Sequence, residues 1–202
     1  MALQSVEATI DSPVLSASEL EARLRRVGVE RYHHQHLFHL MMHEGKLSRS
    51  QMQAWALNLY YYQSRIPIKD AIILSRSDDP DFRMDAYLDL VKNRTFLEAV
   101  ASSLTELFSR DLIALRMDRL RQHYPCLSSG LDYFTARLHQ APEDARFALQ
   151  WVTEHAHTRA EQELAVAALQ AKCDILWAQL DAIYFAYVQP GWPPPGAFRK
   201  ES

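Results

Sequence analysis

The placement of glycine constrains this chain more than any other feature. Only five glycines occur in 202 residues, at positions 28, 45, 130, 191 and 196. Each falls where a helix would start or stop, and none sits in a strand-to-helix phosphate loop. A dinucleotide-binding α/β domain needs glycines at its first strand–helix turn. A hairpin-rich fold needs them for tight turns with positive φ. What remains is a chain of helices, and the local signals agree. Ser16…Glu19 and Ser48…Gln51 have the spacing of capping boxes, in which side chain and backbone satisfy each other at a helix start. Leu169, Cys173, Leu176, Leu180, Ile183 and Tyr187 recur at intervals of four and three, which makes one apolar stripe along a long final helix.

The expected architecture is therefore all-α, a single helical-bundle domain over residues 16–188. It is flanked by a loose arm over 1–15 and a Pro-rich tail over 189–202 that extends along the domain or a partner. The first helix is expected to break at Gly28, and a second to run over 30–43. A long third helix to about Ser75 should kink at Pro67, where a backbone hydrogen bond is lost. Further helices are expected over 81–92, 94–108, 110–121, 129–139 and 143–156, with Thr158 capping the last. A chain of this length buries roughly 70% of its unfolded surface without needing cross-links.

Composition narrows the function classes. The formal net charge is −3 with the two signs interspersed, which points to no nucleic-acid partner. No apolar run approaches the roughly 20 residues of a membrane span, and the first residues lack the pattern of a signal peptide. Cys126 and Cys173 have no metal-ligand spacing and face no evident histidine base. A cytoplasmic protein without a catalytic thiol is the expectation.

Several residues could carry chemistry. Five histidines fall between positions 33 and 43, and His36, His39 and His43 would share a helix face. They suit either a metal cluster or a hydrogen-bonding, anion-binding set; the second is preferred, and no metal is expected. Tyr62, Gln63 and Lys69 stand among aromatic and apolar residues on the third helix, and a lysine there calls for a carboxylate partner. Thr105 and Glu106 lie in an apolar context, with Arg116 ten residues on. Tyr133 and Arg137, four apart, share a helix face. Lys172 flanks the final stripe. Singly these read as core aromatics or solvated charges; together they would supply cations to a ligand bearing several carboxylates.

The segments Tyr32–His39, Tyr61–Ala71, Ser102–Phe108, Gln122–Pro125, Leu169–Trp177 and Leu180–Tyr187 resemble, in order and over nearly the whole chain, the pyrroloquinoline-quinone (PQQ) synthases. That family lies within the wider thiaminase II and haem-oxygenase-like helical proteins. The resemblance implies a compact seven-helix bundle, a homodimer, and oxygen-dependent ring closure and oxidation of a tricarboxylated amino-quinone precursor. Hydrogen peroxide would be the by-product, and no metal or flavin would be used. It assigns catalytic roles to His33, Arg116, Tyr133, Arg137 and Lys172, with Tyr133 and Arg137 beside oxygen. It assigns substrate contacts to Tyr62, Gln63, Lys69, Tyr87, Thr105 and Glu106. The chain departs from the pattern in three places. It is internally shortened between Pro80 and Phe96, where the family carries a His-Asp-Gly turn. Two alignments of this stretch are possible, and the one preferred makes Tyr87 a pocket residue. Leu59 stands where the family has arginine, and Ile113 where many members have histidine. Three functions remain open: an active synthase, a non-catalytic binding or scaffold protein that has lost the His-Asp-Gly segment, and a different bundle enzyme, either a metal-dependent oxygenase or a thiaminase-like hydrolase.

Overall fold

A computed structural model describes residues 12–75 and 93–193. Among these residues there are seven α-helices and no strand. In chain order they are α1 (Ala17–Arg31), α2 (Leu37–His43), α3 (Arg49–Ser75), α4 (Phe96–Ser102), α5 (Ser109–His123), α6 (Asp132–His155) and α7 (Arg159–Tyr187). Short 3₁₀ turns cover His33–Gln35, Ser103–Phe108 and Pro125–Gly130. The all-helical expectation holds. The helix expected over 81–92 lies outside the described residues.

The starts of the helices follow from the caps. At Ser16 the hydroxyl accepts from the Glu19 amide, and the Glu19 carboxylate accepts from the Ser16 amide at 2.8 Å. Ser48 and Gln51 repeat the exchange at the head of α3. Thr158 and Glu161 do so at α7, and Thr95 with Glu98 forms a fourth box ahead of α4. Together these satisfy backbone donors that a helix start leaves without partners.

Helix α7 is the centre of the packing and contacts α1, α2, α3 and α4. Its predicted stripe is buried from Leu169 through Ile183. Two apolar cores form along it. One gathers Leu20 and Leu24 of α1, Leu104, Val152 of α6, and Leu169 and Cys173 of α7. The other gathers Phe38 and Met42 of α2, Trp55 of α3, Leu120 of α5, Phe134 of α6 and Ile183 of α7. At the head of α7, Glu163 bridges Arg159 of its own helix and Arg23 of α1. One residue earlier, Gln162, 2% exposed, holds the segment before α1. Its Oε1 accepts from the Leu15 amide and its Nε2 donates to the Leu15 carbonyl, both at 2.8 Å.

Several boundaries differ from expectation. Gly28 does not end α1; it lies inside the helix, under the Phe108 ring. A Cβ at this position would lie 2.2 Å from Phe108 Cε1, so the glycine serves a close approach and not a stop. The helix expected over 30–43 is interrupted, because His36 is extended (φ −63°, ψ 136°) and caps α2 by accepting from the Phe38 amide at Nδ1. The helices expected over 129–139 and 143–156 are one, α6, running through Pro142. Proline inside a helix costs about 3 kcal/mol. Burial of Ala141, Ala145, Ala148 and Val152 on one face offsets that loss. Helix α3 runs through Pro67 to Ser75, the extent expected of it. After α7 the tail turns back, with the Gly191 amide donating to the Phe185 carbonyl at 3.0 Å and the Trp192 ring edge-on to Phe185. No helix among the described residues is long and apolar enough to cross a membrane.

Candidate active site

A cavity of about 100 Å³ lies between the two cores, walled by α2, α3, α5, α6, α7 and the first two 3₁₀ turns. One wall is built from histidines. The extended backbone at His36 swings the preceding turn toward α5, so His33 and His39 meet although six residues separate them. Their Nδ1 atoms are 3.3 Å apart. His39 Nδ1 also lies 3.1 Å from the His33 carbonyl, and its Nε2 lies 3.2 Å from Arg116 Nη2. His39 and Arg116 are buried, 2% and 6% exposed. Burial, with the Arg116 charge adding to it, drives His33 down to about 3 and His39 well below the ordinary imidazole value. Both rings are neutral at pH 7. Burial also lowers Arg116 to about 10, so its guanidinium stays charged. It makes no ion pair with any described carboxylate: its contacts are the neutral His39 ring and the face of Trp55, 5.7 Å away. Its Nε is buried with no hydrogen-bond partner. A fixed charge in such a setting is poised for an anion, because desolvation has been incurred without a counter-charge.

The facing wall comes from the Ser103–Phe108 turn and from α6. The turn buries Thr105 and presents Glu106, whose Oε2 accepts from the Ser109 hydroxyl at 2.9 Å. Arg137 pairs with the same oxygen at 2.9 Å and with Asp144 at 3.5 Å. Burial opposes the Arg137 charge, but Glu106, Tyr133 and Asp144 together outweigh it and the net shift is upward. Tyr133, one helical turn before Arg137, has its phenol pushed up by burial and hydrogen-bonds Gln63 of α3. Lys172, 1% exposed, places its Nζ over the Tyr62 ring at 4.7 Å. Tyr62 in turn lines the cavity.

The structure thus brings His33, Tyr62, Gln63, Thr105, Glu106, Arg116, Tyr133 and Arg137 to one cavity. Lys172 stands behind Tyr62 rather than on the lining. The Lys69 side chain and Tyr87 lie outside the described residues. Leu59 and Ile113 also reach the cavity, and both make its wall apolar. Sequence reasoning missed Tyr32, Ser109 and above all His39. The three-and-four spacing of His36, His39 and His43 was a signal for His39, but the expectation of one shared face fails at His36. That ring turns away, its Nε2 2.9 Å from Asp181. Among the described residues no three His, Cys, Asp or Glu side chains are arranged to hold a metal ion. The Glu-x-x-His spacings at Glu30–His33 and Glu154–His157 contribute to no such group. Cys173 is buried and pushed up to about 12, chiefly by that burial, so it is not a nucleophile at neutral pH.

Comparison with known proteins agrees with this picture. The TENA/THI-4/PQQC family matches residues 21–86 and 80–182. Three proteins called pyrroloquinoline-quinone synthase are close relatives. That of Acidiphilium cryptum is 43% identical over 92% of this chain and 96% of its own length. That of Granulibacter bethesdensis is 41% identical over 93% and 94%. That of Gluconobacter oxydans is 41% identical over 92% and 98%. The alignment with the Acidiphilium protein spans 236 positions against a chain of 202. The relative therefore carries at least 34 positions (236 less 202) with no counterpart here. The two family matches meet at 80–86, inside the stretch where the sequence is shortened.

Proposed function

The chain belongs to the TENA/THI-4/PQQC family, and on that premise we propose that it is an enzyme of PQQ biosynthesis. Its reaction is the final oxidative ring closure of a tricarboxylated amino-quinone precursor. The observation that carries the reading is Arg116, a buried charge with no partner among the described carboxylates, at a cavity that also receives Arg137, Tyr133 and His33. Charge-assisted hydrogen bonds to carboxylates are stronger than neutral ones and orient a planar ligand. The precursor itself supplies the electrons and protons. Dioxygen accepts them, leaving as hydrogen peroxide, without metal or flavin. Fixed cations and a phenol beside the developing oxygen charge lower the barrier to that transfer. Tyr133 and Arg137 serve the oxygen side, with Lys172 supporting them through Tyr62. Gln63, Thr105 and Glu106 contact the rings, as would Lys69 and Tyr87. The protein works as a cytoplasmic homodimer.

The test is titration of metal-free protein with PQQ, the product, by calorimetry and absorbance. Binding is expected without added metal. Arg137→Ala should weaken it roughly 10- to 150-fold, since a charge-assisted bond contributes about 1.5–3 kcal/mol. Unchanged affinity would remove Arg137 from the pocket. A second reading, a scaffold that binds the ligand but does not oxidise it, is favoured by the shortening that the longer relatives make visible. It is separated by supplying the precursor under air. Peroxide and PQQ are expected from the enzyme and neither from the scaffold.

A further inference from the structure

The histidine wall contains one arrangement that the reading above does not use. His39 touches both Arg116 and His33, and both of its ring nitrogens lie near Arg116 Nη2, Nε2 at 3.2 Å and Nδ1 at 3.4 Å. Nε2 faces Arg116 Nη2 at 3.2 Å, and a guanidinium can only donate. The His33 carbonyl can only accept, so Nε2 is the acceptor toward Arg116 and the proton of the neutral ring sits on Nδ1. That atom lies 3.1 Å from the His33 carbonyl and 3.3 Å from His33 Nδ1, so its N–H is shared between two acceptors. His33 Nδ1 is thus engaged as an acceptor, and the His33 proton is left on Nε2. No described residue is bonded to that atom, while His33 itself lines the cavity.

We propose that His39 is a positioning residue that locks His33 in the Nε2-protonated tautomer, so that His33 offers the cavity a hydrogen-bond donor for a ligand oxygen and not a base. The inference rests on the functional reading only for the identity of that oxygen, a carboxylate or quinone oxygen of the ligand. The alternative arrangement is disfavoured at two points. Turning the His39 proton to Nε2 would set N–H against N–H at Arg116, and it would set the Nδ1 lone pair against the His33 carbonyl, leaving that oxygen only the His36 amide as donor. Protonating His33 at Nδ1 forces the same reversal, so it cannot take a proton without disrupting the chain. Arg116, His34 and His36 act on His33, and Arg116, His33 and His43 act on His39, all against added positive charge. The consequence for chemistry is that His33 holds or protonates a ligand oxygen. A proton taken from the ligand must go elsewhere.

Histidine-¹⁵N-labelled full-length protein decides this. Two-bond ¹H–¹⁵N correlation spectra at pH 7 distinguish the Nε2–H tautomer, the Nδ1–H tautomer and imidazolium. Wild-type protein is expected to show His33 as the Nε2–H form alone. His39→Asn keeps an N–H at the Nδ1 position and should preserve that form. His39→Leu should bring in the Nδ1–H form at His33. A wild-type His33 protonated at Nδ1, or one whose tautomer is unchanged in His39→Leu, overturns the proposal. If His39→Leu does not fold, the wild-type and His39→Asn spectra still decide: Nδ1 protonation in either sinks it. None of these spectra involves a ligand, so their outcome is independent of the proposed reaction. Added PQQ then tests the reaction reading alone, through a shift of the His33 Nε2–H resonance.

Discussion

Arg116→Met replaces the buried guanidinium by an apolar chain of comparable length, and it should separate folding from function. Burial lowers Arg116 from 12.5 to about 10. At about 1.4 kcal/mol per unit, holding the charge in this site costs the free protein about 3 kcal/mol relative to the neutral form. For a base with a depressed folded value, that penalty is fully present at neutral pH and is relieved only as pH rises through 10. Methionine removes it. Two smaller losses oppose the gain: the bond to His39, about 1 kcal/mol, and an His39 Nε2 left without a partner, about 1 kcal/mol more. The unliganded variant should therefore be as stable as the parent or up to about 1 kcal/mol more stable. In urea unfolding monitored by circular dichroism the midpoint should hold or rise. The stabilisation that saturating PQQ gives the parent, equal to RT ln(1 + [L]/Kd), should nearly vanish. A variant less stable than the parent by 2 kcal/mol or more without ligand would refute the reasoning, because Arg116 would then be holding the fold rather than awaiting an anion.

Other perturbations follow from the same geometry. Because His33 and His39 have folded values below the ordinary imidazole value, the unfolded chain binds protons the native chain refuses. Stability should therefore fall as pH drops below about 6.5, by up to ~1.4 kcal/mol per pH unit for each histidine. Urea midpoints at pH 7 and pH 5 measure this, and equal midpoints contradict it. Tyr133→Phe should bind the precursor yet stall at a partly reduced quinol, seen as a single-turnover absorbance intermediate with little peroxide. Turnover at the parent rate would move the oxygen site elsewhere. Gly28→Ala should gain about 1 kcal/mol of helix propensity. It should lose about 1–3 kcal/mol to overpacking against Phe108, for net destabilisation that Phe108→Leu partly restores in the double variant.

What the sequence made legible was what short-range chemistry decides. Capping boxes depend on residues three apart, and the α7 stripe on spacing along one helix, and both were readable at Ser16, Ser48 and Leu169 through Ile183. Gly28 and Pro142 misled because the deciding partner is remote. The first lies under a ring eighty residues away, and the second is carried by the buried alanines of one helix face. His39 was hidden for the same reason. Its role depends on an extended residue at His36 and on an arginine from α5, neither of which periodicity encodes. The motifs of the resemblance led to the cavity residues. The coupling between His39, His33 and Arg116 became visible only when distances were available.

Gln162 imitates a peptide unit. By accepting from the Leu15 amide and donating to the Leu15 carbonyl, it gives the segment before α1 the two bonds a neighbouring strand would give. Its Nε2 lies 3.4 Å from the Ala156 carbonyl as well, so the donor end of the amide serves two acceptors and the side chain has one workable orientation. The attachment is therefore vulnerable to a change of a single group. Hydrolysis of this amide to glutamate would replace an NH₂ by an oxygen and turn a matched pair into opposed lone pairs, with a charge placed where water is scarce. Slow chemical ageing at the head of the last helix would then be felt first at the other end of the chain, where Leu15 would lose its hold before any helix changed shape.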